Sequence, residues 1–202
     1  EEDISAKITH LTGIDNKMVD GQFIDWKEVD AIFESVDIII AHNASFDRAF
    51  IDRFSSISPS KVWACSISDI DWLERGFTSS KQELLCYWHG FYFDAHRAMN
   101  DVDALIHLLT FDTEFERPLL ELIKNSNKSE FIIFAEHFKF DPVKKDILKG
   151  NKYRWNPNDK IWFKKVNLDE LEHEKDWLTA TIYDQVFKGR VEEIIPTNKY
   201  KL

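Results

Sequence analysis

The chain has 202 residues, of which 44% are hydrophobic and 31% are charged, and its formal net charge is −10 at pH 7. This length fits one large domain or a medium domain with a small one, and the composition excludes a low-complexity chain. No apolar run is long enough to cross a membrane and no secretory leader is recognisable, so a cytoplasmic protein without a membrane partner is expected. Cys65 and Cys86 fit neither a disulfide framework nor a zinc site, and buried thiols are expected.

Helices and strands are predicted to alternate along the first half of the chain. The run Val36–Ala41 is almost entirely apolar, which is typical of a buried parallel strand, and Asn43 or Ser45 is expected to cap the helix after it. The other elements predicted here are a helix and turn over Ile4–Ile14, a helix from Asp25 to about Ser35, a strand Val62–Ile67, a helix from Ser79 or Ser80 to Gly90, and a helix from about Arg97 to Leu109. This order indicates an α/β fold.

The charge balance changes in the second half of the chain. Residues 1–114 carry 9 Lys and Arg against 21 Asp and Glu, whereas residues 115–202 carry 17 against 15. We therefore expect a first domain over 1–115, a linker helix over 116–129 and a small basic α+β module over 130–202. Within this module the predicted elements are a strand Glu130–Ala135, a helix Pro142–Leu148, a hairpin Tyr153–Phe163 and a helix Leu168–Ile182.

Two aspartates stand where helices are expected to be apolar. Asp47 occupies the first position of a stripe continued by Phe50, Ile51 and Phe54. Asp101 interrupts a second stripe, which consists of Ala98, Val102, Leu105, Leu108 and Leu109. An unpaired carboxylate that faces a core is costly, so the two aspartates predict a shared metal ion.

A histidine precedes the second of these aspartates by five residues. On an ideal helix His96 and Asp101 would lie roughly 140° apart. They converge only if His96 belongs to the preceding loop or to the first helical turn. A histidine in that place can titrate near neutral pH and act as a base, although a surface or capping role for His96 stays open.

The segment Ile38–Asp47 resembles the second motif of the DnaQ-like (DEDDh) 3′–5′ exonucleases, which include the ε-type exonucleases of bacterial DNA polymerase III. The segment His96–Ala104 resembles their third motif, a His followed five residues later by Asp. Ile8–Ile14 and Lys81–Leu85 resemble the helices that precede these two motifs, so order and spacing agree over about residues 4–112. Lys149–Val166 resembles more loosely an accessory region of some bacterial members.

The resemblance implies a ribonuclease H-like fold that removes nucleotides from the single-stranded 3′ end of DNA or RNA. It also implies two Mg²⁺ or Mn²⁺ ions held by four carboxylates. Asp101 would be a metal ligand, Asp47 a ligand directly or through water, and His96 the general base. Asn43 and Phe46 would shape the substrate groove. Asp103 lies near the third motif and is expected to face solvent.

The first motif of the family, Asp-x-Glu on its first strand, has no counterpart before Ile4. Half of the metal site and three central strands are therefore expected to be missing. One explanation is a fragment, which the start at Glu1 rather than Met favours. Another is a second chain or subunit that supplies the missing strands, and oligomerisation stays open. The third is a non-catalytic relative that binds nucleic acid or serves in assembly.

A basic stretch lies in the second half. Lys144–Lys165 contains eight basic residues against Asp146 and Asp159, and a local basic face can bind a polyanion despite an acidic total. The predicted nucleic-acid face consists of Lys152, Arg154, Lys160 and Lys164, interleaved with the aromatic residues Tyr153, Trp155, Trp162 and Phe163. In the alternative interpretation, a two-stranded ribbon directs Tyr153, Trp155, Ile161 and Phe163 to the core and the charges to water.

Overall fold

A computed structural model of the chain describes residues 3–95, 97–111, 116–183 and 185–201. They form a mixed α/β protein in which helix exceeds strand. The chain divides into two units, the first over 1–126 together with 200–202, and the second over 127–199. The predicted α/β class is thus confirmed at this level. Every helix in the described ranges is too short or too polar to cross a bilayer.

The first unit is built on two parallel strands. β1 (Ile38–Ala41) pairs with β2 (Val62–Cys65), so that Ala41 lies opposite Cys65 at their carboxyl ends. The helices of this unit are α1 (Ala6–Thr12), α2 (Asn16–Val19), α3 (Trp26–Glu34), α4 (Ala44–Ile51), α5 (Gln82–Trp88), α6 (Ala98–Thr110) and α7 (Pro118–Ser126). The strand expected over 36–41 is thus two residues shorter. The helix and turn expected over 4–14 are present as α1 and its end at Gly13, and α2 is an additional short helix.

The two faces of this sheet bury different residues, as alternation along a strand requires. Ile38 and Ile40 pack against the larger core, which α5, α6 and α7 complete with Leu85, Leu108 and Leu122 among others. Ile39 and Ala41 pack against a smaller core formed by Ala44, Trp63 and Cys65, which Tyr200 also joins. The helix α7, expected as part of a linker, therefore contributes a buried leucine to the first unit.

The apolar stripes of α4 and α6 are covered only in part. Ile51 packs in the smaller core, whereas Phe50 and Phe54 are exposed. In α6, Leu105, Leu108 and Leu109 are buried, but Ala98 and Val102 are exposed. The expectation that both stripes face a core along their whole length is wrong for these residues. Within the described part of the chain the sheet has two strands, and it is too narrow to cover both helices.

The second unit is a four-stranded antiparallel sheet with helices on one face. The strands are β3 (Glu130–Ala135), β4 (Arg154–Asn156), β5 (Ile161–Asn167) and β6 (Arg190–Ile194), and their order is β4-β5-β3-β6. The helices α8 (Pro142–Gly150) and α9 (Leu168–Thr181) bury Leu148, Leu171 and Leu178 against Ile133 and Val166. Each helix begins at a residue that can cap it: Asp141 accepts from the N–H of Val143, and Asn167 forms a capping box with Glu170.

The hairpin expected over 153–163 is present, but its faces differ from the ribbon interpretation. Trp155 lies opposite Trp162, and Arg154 lies opposite Phe163. Trp162 therefore faces the helices with Tyr153, and Phe163 faces away from them. The four-residue turn sets this register, and a shift of one residue exchanges the two faces of a strand.

Candidate active site

Two side chains meet where the parallel strands of the first unit end. His42 directly follows β1 and Ser66 directly follows β2, and Nδ1 of His42 lies 2.8 Å from Oγ of Ser66. The backbone N–H of Ser66 donates to the carbonyl oxygen of Ala41 at 3.1 Å, which holds the two strand ends together. Ligand sites in open α/β sheets form at this carboxyl edge.

The chain turns sharply after His42 to start the next helix. Asn43 adopts a left-handed conformation with φ 67° and makes no side-chain cap hydrogen bond, so neither Asn43 nor Ser45 caps α4 as expected. Asn43 is tolerated there because its short polar side chain suits this region. The N–H of Ala44 donates to Sγ of Cys65 at 3.4 Å, which fixes the start of α4 over the end of β2.

This turn places Asp47 in the first turn of α4. Asp47 is half-buried, and burial raises the pKa of its carboxyl group, while its own backbone N–H lowers it by less. A raised pKa means that the charged form is disfavoured where it stands. A nearby cation would reverse that penalty, so the environment of Asp47 suits a metal ligand.

A second carboxylate, that of Asp101, acts on His42 from α6. It is half-buried in the first turn of α6, and the side-chain amide of Gln82 on α5 donates to its carbonyl oxygen at 2.5 Å. Burial lowers the pKa of His42, and the negative charge of Asp101 raises it by less. His42 from the first segment singled out in the sequence and Asp101 from the second are therefore close enough to interact electrostatically.

A glycine turn flanks the start of α6. Gly13 ends α1 with φ 68°, which favours glycine. A Cβ atom at this position would lie 2.7 Å from Nη2 of Arg97, so the guanidinium lies directly against the turn. The segment 8–14 thus contacts the residue that immediately follows His96.

The predicted site residues have different outcomes. Asn43 and Phe46 are exposed, Phe46 by 75%, as residues in contact with a substrate would be. His96 lies outside the described residues, and its role as a base stays a prediction. Asp103 is exposed, as expected, and with Asn100 and His107 it lines a cavity of about 380 Å³.

The described ranges contain no group of three or more His, Cys, Asp or Glu residues placed to hold a metal ion. Asp47 and Asp101 offer the hard oxygen ligands that Mg²⁺ and Mn²⁺ prefer. They are two of the four carboxylates that the resemblance implies, and the described residues do not complete a two-metal site.

His42 is the residue that sequence reasoning missed. The signal available was its position directly after a buried strand, where the carboxyl edge of a sheet is expected. Its partner Ser66 follows a different strand, and no local pattern links the two.

Lys164 does not belong to the expected basic face. Its Nζ lies 2.6 Å from a carboxylate oxygen of Glu174, which is 7% exposed, and it also lies over the ring of Tyr153. Its ammonium group is therefore already neutralised inside the second unit. Lys152, Arg154 and Lys160 are exposed, as expected for such a face.

Comparison of the chain with family models, with curated proteins and with solved structures found no match in any of the three.

Proposed function

We propose that the first unit is the catalytic part of a DnaQ-like 3′–5′ exonuclease with a ribonuclease H-like fold, which acts on single-stranded 3′ ends of DNA or RNA. The observation that carries the proposal is the electrostatic interaction of His42, at the carboxyl end of β1, with Asp101. The first belongs to the segment that resembles the second family motif, and the second to the segment that resembles the third.

Asp47 and Asp101 are the proposed ligands of Mg²⁺ or Mn²⁺. The ions would neutralise charge on the attacking and leaving oxygens of a phosphodiester. Asp47 lies in an environment that disfavours its charged form, which a bound cation would relieve. His42 is kept neutral by burial, so it adds no positive charge that would repel the cation. Phe46 and Asn43, both exposed, would contact the terminal nucleotide, and His96 would accept the proton of water.

Further carboxylates are needed for a two-metal site, and we propose that a segment or subunit pairing with β1 supplies them. Among the described strands, β1 pairs only with β2, so its other edge can accept a strand. Two helices of the first unit also expose apolar side chains. These are Phe46 and Phe50 on α4, and Met99, Val102 and Ile106 on α6.

The first experiment measures metal binding. Mn²⁺ should raise the midpoint of thermal unfolding, because a ligand that binds the folded state stabilises it. The variants Asp47→Asn and Asp101→Asn should each lose most of this rise. Asp103→Asn removes an exposed carboxylate from the same helix as Asp101 and should keep it.

The second experiment measures cleavage of 5′-labelled single-stranded DNA and RNA of the same sequence. Shortening from the 3′ end should require Mn²⁺ and Asp101, and EDTA should stop it. Full cleavage by both Asp101→Asn and His96→Ala would refute the proposal.

A second candidate function is a subunit that binds nucleic acid or serves in assembly without catalysis. The observation that favours it is the lack of a complete metal-ligand group in the described ranges. In that case Mn²⁺ leaves the unfolding midpoint unchanged in every variant, no shortening occurs, and oligonucleotides still bind in EDTA.

A further inference from the structure

The sheet of the second unit carries a row of two phenylalanines between two arginines. Phe134 on β3 pairs with Phe163 on β5 and with Arg190 on β6, and Phe163 pairs with Arg154 on β4. Directly paired residues point to the same face of a sheet, with Cβ atoms about 5 Å apart. The four side chains therefore form one line across all four strands, which we call the phenylalanine row.

This row lies on the face of the sheet opposite the helices. The core between sheet and helices contains Ile133, Ala135, Trp162 and Val166, which alternate with the residues of the row along β3 and β5. Phe134 and Phe163 are half-buried and belong to none of the apolar cores of the described residues. The row therefore presents two aromatic rings on the helix-free face of an antiparallel sheet.

Cations without protein partners lie at one end of the row. Three cations near this end are exposed: Arg154 on the edge strand β4, Lys152 before β4, and Lys160 directly before β5. Within the described ranges none of these three makes an ion pair, in contrast to Lys165, whose Nζ lies 3.5 Å from a carboxylate oxygen of Glu130. The β4 edge thus offers positive charge that the protein itself does not neutralise.

The other end of the row is held in place. The guanidinium of Arg190 lies 3.9 Å from the centroid of the Phe134 ring, and it is paired with Glu136 and Glu192. A planar guanidinium fixed over an aromatic ring can itself stack on a nucleobase. In the row, the Phe163 ring therefore lies beside the exposed cation Arg154, and the Phe134 ring is covered by the guanidinium of Arg190.

We propose that the phenylalanine row binds single-stranded nucleic acid, with bases stacked on Phe163 and on the Arg190–Phe134 pair and phosphates at Arg154 and Lys160. Aromatic side chains on a sheet with cations alongside are the chemistry that holds unpaired strands. The bases of a duplex are stacked on one another and cannot reach such a surface. This binding does not depend on the proposed cleavage, because it uses no metal and no residue of the first unit.

The test uses the full chain and a fluorescein-labelled oligothymidylate or oligouridylate of about 12 nucleotides, with EDTA present so that no metal-dependent cleavage occurs. Fluorescence anisotropy gives the dissociation constant. Phe163→Leu keeps apolar bulk but removes the ring, and it should weaken binding about 5-fold or more. Phe140→Leu changes an exposed phenylalanine outside the sheet and should leave binding unchanged.

The cations are tested through the dependence of binding on salt. Arg154→Ala should reduce the slope of log K against log salt concentration by about 0.7, the value for one lost contact to a single strand. Lys139→Ala removes an exposed cation that is not part of the row and should leave the slope unchanged.

Three results would overturn the proposal: no binding by the unaltered chain, equal affinity of Phe163→Leu and the unaltered chain, or tighter binding of a duplex than of a single strand. If a variant fails to fold, photocrosslinking of a 4-thiouracil oligonucleotide to the unaltered chain tests where the oligonucleotide binds. Crosslinks in β3 or β5 support the row, and crosslinks confined to residues 3–126 refute it. Binding is measured in EDTA, whereas the proposed cleavage requires Mn²⁺, so a failure of the nuclease proposal and a failure of this one give different results.

Discussion

The carboxylate of Asp101 raises the pKa of His42, although α4, β2 and α5 separate the two residues in the sequence. Burial lowers the pKa of His42 more strongly, so the imidazole is neutral at physiological pH. The neighbouring hydroxyl of Ser66 keeps the ring at the strand end.

Removing the charge of Asp101 should lower the pKa of His42 further. A negative neighbour favours the imidazolium form, and Asp101→Asn takes that support away while burial remains. NMR titration of the histidine ring protons measures the pKa directly. Asp103→Asn is the matched control and should leave it unchanged, and a rise of the His42 pKa in Asp101→Asn would contradict the assigned geometry.

The stability contributed by Asp47 should fall as pH rises. Its folded-state pKa is raised above the unfolded value, so the folded state binds its proton more tightly. The contribution is therefore fully present below the unfolded pKa, near 4, and is lost as pH passes the raised folded value. Asp47→Asn should increase the free energy of unfolding at pH 7 and change it less at pH 4. Urea unfolding at the two pH values measures both, and an equal gain at both would show that charge burial is not the cause.

Breaking the pair of Lys164 and Glu174 should strongly destabilise the second unit. Glu174→Ala leaves the Lys164 ammonium beside Tyr153 without its partner, and the loss of one partner of a buried pair costs about 3 kcal/mol or more. Urea unfolding followed by circular dichroism measures the loss. The exposed pair of Lys175 and Glu172 is the comparison, and Glu172→Ala should change stability by less than about 0.5 kcal/mol. Similar losses in the two variants would mean that Lys164 is solvated.

Neither cysteine should react with a thiol reagent in the folded protein at pH 8. Cys65 and Cys86 are free and buried, which confirms the expectation from the sequence. Burial raises the pKa of Cys86 to about 11, so its reactive thiolate is scarce at pH 8. Labelling with a maleimide followed by mass spectrometry should show no adduct in buffer and two in concentrated urea. Rapid labelling of Cys86 in buffer would contradict its burial on α5 within the larger core.

Local sequence patterns predicted which helices and strands form better than they predicted which side chains these elements bury. The apolar run ending at Ala41 and the turn-rich segment 156–160 are local signals, and both the strand and the hairpin are present. The interpretation that directs Phe163 to the core was wrong. The face on which Phe163 lies depends on the strand register, which the conformation of the turn sets and composition does not determine. The prediction that Val102 is buried was wrong, because its burial depends on the number of strands under α6.

The candidate site shows the same difference between local sequence signals and contacts that form only on folding. Asp47 and Asp101 could be proposed as site residues because a charge in an apolar stripe is visible in the sequence itself. His42 was missed because its significance comes from Ser66 and Asp101, which reach it only through the parallel pairing of β1 and β2. Lys164 was predicted to lie on a surface because a run of lysines does not indicate which one is buried. Its partner Glu174 lies on α9, and the contact between them forms only in the folded unit.

Tyr200 packs in the smaller core of the first unit, although the chain between residues 127 and 199 forms the second unit. The second unit is therefore inserted into the first and is tethered to it at both ends. A shortened protein that stops at Ser126 would lack an aromatic side chain that fills the space beside Ile39 and Cys65. An independently expressed first unit will need that tyrosine restored, for example by joining Ser126 to the segment 200–202 through a short flexible linker.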